Sequence, residues 1–167
     1  IATYIFFVRD LKDKQSIMNR NNSGVSLLDD KDEVFFTFYS PKELDPVALD
    51  QISKHVQNAA IAAEDQEFYN NPGFSITGIG RAVLSNLTSG SIKEGGSTIT
   101  QQLVKNALLN SQRNFLRKYQ ELILSLEIER RYSKNDILEM YLNSVYFGEG
   151  TFGIENAAQK YFAKDAK

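Results

Sequence analysis

Cysteine is absent from the sequence and histidine occurs once, as His55. The first absence excludes a disulfide framework and any thiolate metal site. It suits an extracytoplasmic protein without proving one. The second excludes a histidine-based metal cluster. It also leaves His55 as the only histidine that a Ser–His or Cys–His catalytic pair would have. Basic residues are not in excess: 19 Lys and Arg face 21 Asp and Glu, a net charge of −2. That argues against nucleic acid as the main partner, because phosphate backbones call for a basic surface. The opening apolar stretch IATYIFFV (1–8) falls well short of the about 20 residues that span a bilayer. It reads as a helix, a strand or the last turns of a membrane helix. It carries neither the charged leader nor the small-residue cleavage site of a signal peptide. There is no internal repeat or low-complexity tract.

What remains is one domain's worth of chain. The 167 residues are 42% hydrophobic and 24% charged, ordinary for a globular domain and enough to bury a core. Residues 9–33 are polar and mixed in charge, and NRNNSG (19–24) reads as a turn or loop. DEVFFTFY (32–39) predicts a strand, which SPKELDPV (40–47) breaks. From about Pro46 the pattern is helical. Val47, Ile52, Val56, Ala59, Ala60 and Ala63 fit one apolar stripe. NNPG (70–73) is a turn, and Ile76, Ile79, Val83 and Leu87 repeat at helical spacing. After a glycine-rich link (87–96), helices are expected at about 97–110, 113–132, 134–147 and 152–162. Ser133 and Asp136 form a capping box. The expected fold is mainly α with a short extended N-terminal section.

One stretch asks for more than packing. In EGGSTITQQLVKN (94–106), a helix would turn Ile99, Leu103, Ala107 and Leu108 inward. Thr98, Gln101, Gln102 and Lys105 would share another face. The glycines permit close backbone approach, the first turn offers free N–H groups to an anion, and Lys105 adds a charge. The plainer reading is a surface helix with Ser97 as N-cap. The spacing of a Walker A loop is absent. The next helix is basic: Arg113, Arg117, Lys118, Arg130, Arg131 and Lys134 outnumber Glu121, Glu127 and Glu129. Arg130 and Arg131 read as a solvated face. Arg113, Arg117 and Lys118 read either as that or as a phosphate-binding cluster.

AAIAAEDQEF (59–68) runs an apolar helix into Glu64 and Asp65. A glutamate at the end of a buried helix is suited to general acid–base work; an exposed acidic helix end is the commoner case. Glu121 supplies a second carboxylate, and two carboxylates are the usual tools of glycosyl chemistry.

Five blocks in order resemble the peptidoglycan glycosyltransferase (transglycosylase) domain of class A penicillin-binding proteins and monofunctional peptidoglycan glycosyltransferases. They are EDQEFYNNPG (64–73), GGSTITQQLVKN (95–106), RKYQE (117–121), KNDILEMYLN (134–143) and YFGEGTFGIENAAQKYF (146–162). The resemblance spans roughly 47–167. It implies a lysozyme-like helical domain with a small membrane-proximal lobe, preceded by a linker or extended segment at 9–46 and a membrane-anchor stub at 1–8. It further implies polymerisation of lipid II, with inversion and loss of undecaprenyl pyrophosphate. Glu64 would be the general base on the acceptor 4-hydroxyl. Lys105, Arg113, Arg117 and Lys118 would meet the pyrophosphate, with Glu121 holding them in place or acting directly. Ser97, Thr98, Gln101 and Gln102 would hydrogen-bond substrate, and Asp65, Phe68 and Asn143 complete the implied binding set.

By the same resemblance the partners are lipid II, the growing lipid-linked glycan, the membrane surface and the phosphoglycolipid moenomycin, and nucleic acid is not among them. The location is the extracytoplasmic face of the cell membrane, with one N-terminal anchor. Phe74, Ile76, Ile79, Val83 and Leu87 form either a lobe dipping into lipid or plain core. No cofactor is required; Mg2+ or Mn2+ at the pyrophosphate is compatible, though no dedicated ligand set is present. Two departures stand out. Asn71 occupies the family's histidine position, and the family continues past the fifth block with a further apolar helical segment. A glycan-cleaving lysozyme-like enzyme would share the glutamate but not the basic cluster. A non-catalytic cell-wall scaffold would need neither glutamate.

Overall fold

The computed structural model describes residues 11, 13–19, 26–31, 33–37, 46–75, 96–109 and 115–167. The expected anchor stub, the stripe from Ile76 to Leu87, the link up to Gly95 and Arg113 lie outside the described residues. Most of the NRNNSG turn and of the 40–47 break lies outside them too.

The described chain is mainly α, as expected. Its elements are α1 (Lys14–Asn19), β1 (Ser26–Leu28), β2 (Val34–Thr37), a 3-10 turn (Leu49–Gln51), α2 (Lys54–Glu64), α3 (Ile99–Leu108), α4 (Phe115–Arg131), α5 (Lys134–Ser144), β3 (Tyr146–Gly148), β4 (Thr151–Phe152) and α6 (Ile154–Phe162). The centre is α5. Its Ile137, Leu138, Met140, Tyr141 and Leu142 are all buried, so it is covered on most sides. It packs against α1, α3, α4 and α6. Its start is the predicted capping box: Ser133 Oγ accepts from Asp136 N, and the Asp136 carboxylate accepts from Ser133 N.

Against α5 lies α3, which buries Ile99, Leu103, Val104 and Ala107. The inward face read from the sequence is correct, with Leu108 half-buried at its end. The cap is Thr98, not Ser97. Thr98 Oγ1 accepts from Gln101 N and Gln101 Oε1 accepts from Thr98 N, both at 3.1 Å. The box needs an amide or carboxylate three residues on, which Thr98 finds in Gln101; Ser97 finds only Thr100.

Two expectations about α2 fail. The chain is extended at Ala48 and tightens into the 3-10 turn before the helix begins at Lys54. That interruption shifts the phase of the stripe read from Val47 onward. Ile52 is buried, Val56 and Ala60 are half-buried, and Ala59 and Ala63 are exposed. The wholly inward residue is polar: Gln57 donates from Nε2 to the carbonyls of Leu49 and Ile52, both at 2.7 Å. Those carbonyls lie at the first residue of the 3-10 turn and at the residue that closes it, so Gln57 ties α2 to the turn from inside.

Residues 14–19, read as part of a polar stretch, form a helix that docks on α5. Ile17 and Met18 enter the main core, each contributing roughly 1.5–3 kcal/mol by burial. Lys14 reaches Asp136 at 2.7 Å and Glu139 at 2.8 Å. The predicted strand is β2, antiparallel to β1, which the sequence had not indicated. A reversal also replaces the end of the helix expected over 134–147. The helix stops at Ser144, and β3 and β4 pair as Tyr146↔Phe152 and Gly148↔Thr151. Gly148, Glu149 and Gly150 all have positive φ there, a conformation that a helix does not contain. Gly153 follows at φ 79°, and a Cβ on it would stand 2.8 Å from the Asn143 carbonyl. Only glycine lets α6 start that close to α5.

Candidate active site

The site is assembled on α3 by the turn that follows α2. Glu64 is the last residue of α2 and is exposed, the commoner of the two cases read from the sequence, and Ala62 and Ala63 beside it also face outward. Gln102, in the second turn of α3, donates from Nε2 to Glu64 Oε2 at 2.8 Å. Its Oε1 accepts from the Tyr141 hydroxyl at 3.4 Å. Burial, and after it the charge of Glu64, push the Tyr141 hydroxyl well above the ordinary 10.0, so it stays a donor. This arrangement sets which end of the Gln102 amide faces the carboxylate. Tyr141 was not among the residues read as functional; the sequence shows it only as part of an apolar helix.

Asp65 turns away from Glu64 and joins structure. Its Oδ2 accepts from Ile99 N at 3.1 Å, one of the free N–H groups of the first turn of α3. Both its oxygens accept from Asn71 Nδ2, at 3.0 and 2.9 Å. The same loop closes on α3 through Gly73, whose carbonyl accepts from Thr98 Oγ1 at 2.7 Å.

At the start of α3 the second carboxylate appears. Glu121 is 1% exposed and is paired with Lys118, whose ammonium also donates to Ser97 Oγ at 3.3 Å. Lys118 is half exposed, so its charge faces solvent while Glu121 holds it from beneath. Lys105 is exposed, three residues beyond Gln102, and among the described residues no hydrogen bond or ion pair involving it is found. Arg117 is half-buried in the first turns of α4.

Four residues of the implied binding set are taken up by the fold. Thr98 and Gln101 are 2% and 3% exposed and form the helix cap. Phe68 is fully buried, with the Lys134 ammonium 4.7 Å above its ring. Asn143 is occupied by backbone: Oδ1 accepts from Val47 N, and Nδ2 donates to the carbonyls of Val47 and Glu139. Among the described residues, Glu64, Lys105, Ser97 and Lys118 are exposed at the site, and Gln102 and Arg117 are half-buried there. Beneath them a network missed in the sequence ties four segments together. Thr100 donates to Glu129, and Lys134 donates to Glu129 and to the Asn71 carbonyl, both at 2.8 Å. Arg130 and Arg131 are exposed, as read from the sequence, and both reach back to the buried carboxylate of Glu127.

Of the acidic side chains, Asp65 is taken by Asn71 and Ile99 N and Glu121 by Lys118, and among the described residues no three His, Cys, Asp or Glu side chains converge. Nor, among the described residues, is any helix long and apolar enough to cross a membrane.

Comparison with known proteins gives the family. The family model for the transglycosylase domain matches residues 31–167. Penicillin-binding protein 1F of Bacillus subtilis is 46% identical over 136 residues, covering 81% of this chain and 19% of that protein. Penicillin-binding protein 1A of Mycobacterium tuberculosis is 50% identical over 122 residues, 71% of this chain and 15% of that protein. Penicillin-binding protein 2a of Streptococcus pneumoniae is 41% identical over 166 residues, 99% of this chain and 22% of that protein. The chain thus spans about a fifth of the length of the curated relatives it matches. With the family model covering most of its length and the glutamate, the polar α3 face and the Lys118–Glu121 pair in place, this chain belongs to the transglycosylase family.

Proposed function

We propose that this domain is a peptidoglycan glycosyltransferase that polymerises lipid II into glycan strands. Glu64 takes the proton from the acceptor 4-hydroxyl as that oxygen bonds to the anomeric carbon of the lipid-linked donor, with inversion. The bond to undecaprenyl pyrophosphate breaks, and its electron pair leaves with the pyrophosphate. A sugar hydroxyl is a weak nucleophile and needs a base. The pyrophosphate leaves as a stable anion and needs cations. Lys105, Lys118, Arg113 and Arg117 supply them, with Glu121 keeping the Lys118 ammonium in place. No step is routed through a metal.

The observation that carries this reading is that α3 joins both functions. Its second turn holds Gln102 against the Glu64 carboxylate, and the residue before its cap, Ser97, meets the Lys118–Glu121 pair. A glycan-cleaving enzyme of lysozyme-like fold would want its second carboxylate facing substrate. Glu121 is buried and ion-paired, which speaks against that alternative. A scaffold role has no use for an exposed base aligned by a buried tyrosine and an amide. In this reading the domain works at the extracytoplasmic face of the cell membrane, where the whole protein is held by a single N-terminal anchor. It binds moenomycin as a donor mimic. The test is lipid II polymerisation in detergent by the chain and by Glu64→Gln, with products resolved by size. Glycan from the first and none from the second, with moenomycin bound by both, supports the assignment. Equal product from both would remove Glu64 from the mechanism.

A further inference from the structure

We propose that Asn71 is a positioning residue for the Glu64 carboxylate, acting through Asp65. The inference rests on the glycosyltransferase reading above and adds to it a residue that touches neither substrate nor base. Glu64 closes α2, and Asp65 carries the chain out of the helix at φ −160° and ψ 81°. What fixes the direction of that exit is the Asp65 side chain. It accepts from Ile99 N at the start of α3 and from Asn71 Nδ2 through both oxygens. Three residues beyond Ile99, on the same rigid helix, Gln102 meets Glu64. The Asp65–Ile99 link therefore sets the spacing between the base and the amide that aligns it.

Asn71 is built to hold that link. Its Oδ1 accepts from Gly73 N at 2.9 Å, its own N–H donates to the Glu67 carbonyl at 2.9 Å, and its carbonyl accepts from Lys134 Nζ at 2.8 Å. With those bonds made, the amide Nδ2 is directed at Asp65 and shared between both carboxylate oxygens. Without it the carboxylate keeps, among the described residues, one donor, the backbone N–H of Ile99, and can rotate about it. The charged groups around Asn71 are Asp65 from the turn after α2, Lys134 from α5, and Glu129 from α4, which is paired with Lys134 at 2.8 Å. An amide has no proton to lose or gain among them, so the clamp keeps its donors at every working pH.

The experiment compares the chain with Asn71→Ala, Asn71→Asp and Asn71→His in lipid II polymerisation, with rates expressed per moenomycin-binding site so that unfolded protein is not counted. Asn71→Ala should lower kcat roughly ten- to a hundredfold, the effect of a misplaced catalytic group, and leave KM within about twofold. Asn71→Asp sets a second carboxylate against Asp65, and two such charges at hydrogen-bond distance share a proton. Its kcat per site should therefore recover as pH falls, a trend opposite to that of the wild type. Asn71→His keeps an N–H donor and should recover most of the rate. Wild-type kcat and pH profile in both Asn71→Ala and Asn71→Asp would overturn the proposal.

A double-mutant cycle in thermal unfolding, Asp65→Ala with Asn71→Ala, separates this idea from the functional reading. Non-additive Tm shifts support the clamp even if the wild type makes no glycan, and additive shifts refute it whatever the activity.

Discussion

Gln102 donates to Glu64 at 2.8 Å and accepts from Tyr141 through the other end of the same amide. The Glu64 carboxylate is therefore held by a neutral amide whose other end is fixed by a buried tyrosine. Among the described residues Glu64 Oε1 makes no hydrogen bond, and in the proposed reaction this oxygen would meet the acceptor hydroxyl.

Gln102→Ala removes that alignment. A hydrogen bond to a charged group is worth about 1.5–3 kcal/mol, so kcat should drop roughly tenfold or more. Steady-state polymerisation kinetics with lipid II would show it. An unchanged kcat would mean that substrate, not Gln102, orients the carboxylate.

Lys105 is exposed, and no partner is found for it among the described residues. Lys105→Ala should leave the melting temperature where it is. Its binding of moenomycin should weaken by about 1.5–3 kcal/mol, the loss of one charge-assisted contact. Calorimetric titration measures this directly, and unchanged affinity would remove Lys105 from the pyrophosphate site.

Gly73 has φ 89°, and a Cβ there would lie 2.6 Å from Glu129 Cγ and 3.3 Å from the Ser125 carbonyl. Gly73→Ala combines left-handed strain with overlap against the Glu129 side chain, which Thr100 and Lys134 hold in place. We expect a loss of about 1–3 kcal/mol, read as a Tm lower by several degrees. Because the Gly73 carbonyl accepts from Thr98, the start of α3 should lose amide-exchange protection in the same variant. A Tm within a degree of wild type would show that the loop gives way freely.

Lys14 bonds α1 to α5, and the pH dependence follows from signs. Burial opposes the Lys14 charge, but Asp136 and Glu139 outweigh it and hold the ammonium above its ordinary 10.5. Lys14, and then Ser133, hold Asp136 below its ordinary 3.8. The Lys14 share of stability is present below pH 10.5 and is lost as pH rises beyond it. The Asp136 share is present above pH 3.8 and is lost as pH falls further. Since both groups are partly exposed and screened, Lys14→Met should cost only about 0.5–1 kcal/mol near neutrality. The difference from wild type should shrink at both extremes in denaturant melts across pH. A difference that is constant with pH would place the effect in packing instead.

The order of the blocks is a property of the sequence itself, and the inward face of α3 and the capping box at Ser133 were legible because each depends on residues within one helix turn or a few. The interrupted stripe before α2 and the reversal at 146–152 were not. A 3-10 turn shifts helical phase without leaving a compositional mark, and glycines in a periodic pattern do not say which way the chain turns. The division of labour inside the site was least visible. Thr98, Gln102, Glu64 and Asp65 look alike as polar residues near a helix end. Which of them face substrate and which are taken up as caps and clamps depends on partners far along the chain: Gly73 for Thr98, Tyr141 for Gln102, Asn71 and Ile99 for Asp65. Local sequence determined most of the helices from 97 onward, the family and the presence of a glutamate and a basic cluster. Only the tertiary structure decided which oxygens and ammonium groups remain available, because a buried polar group must find its partner wherever the fold brings one.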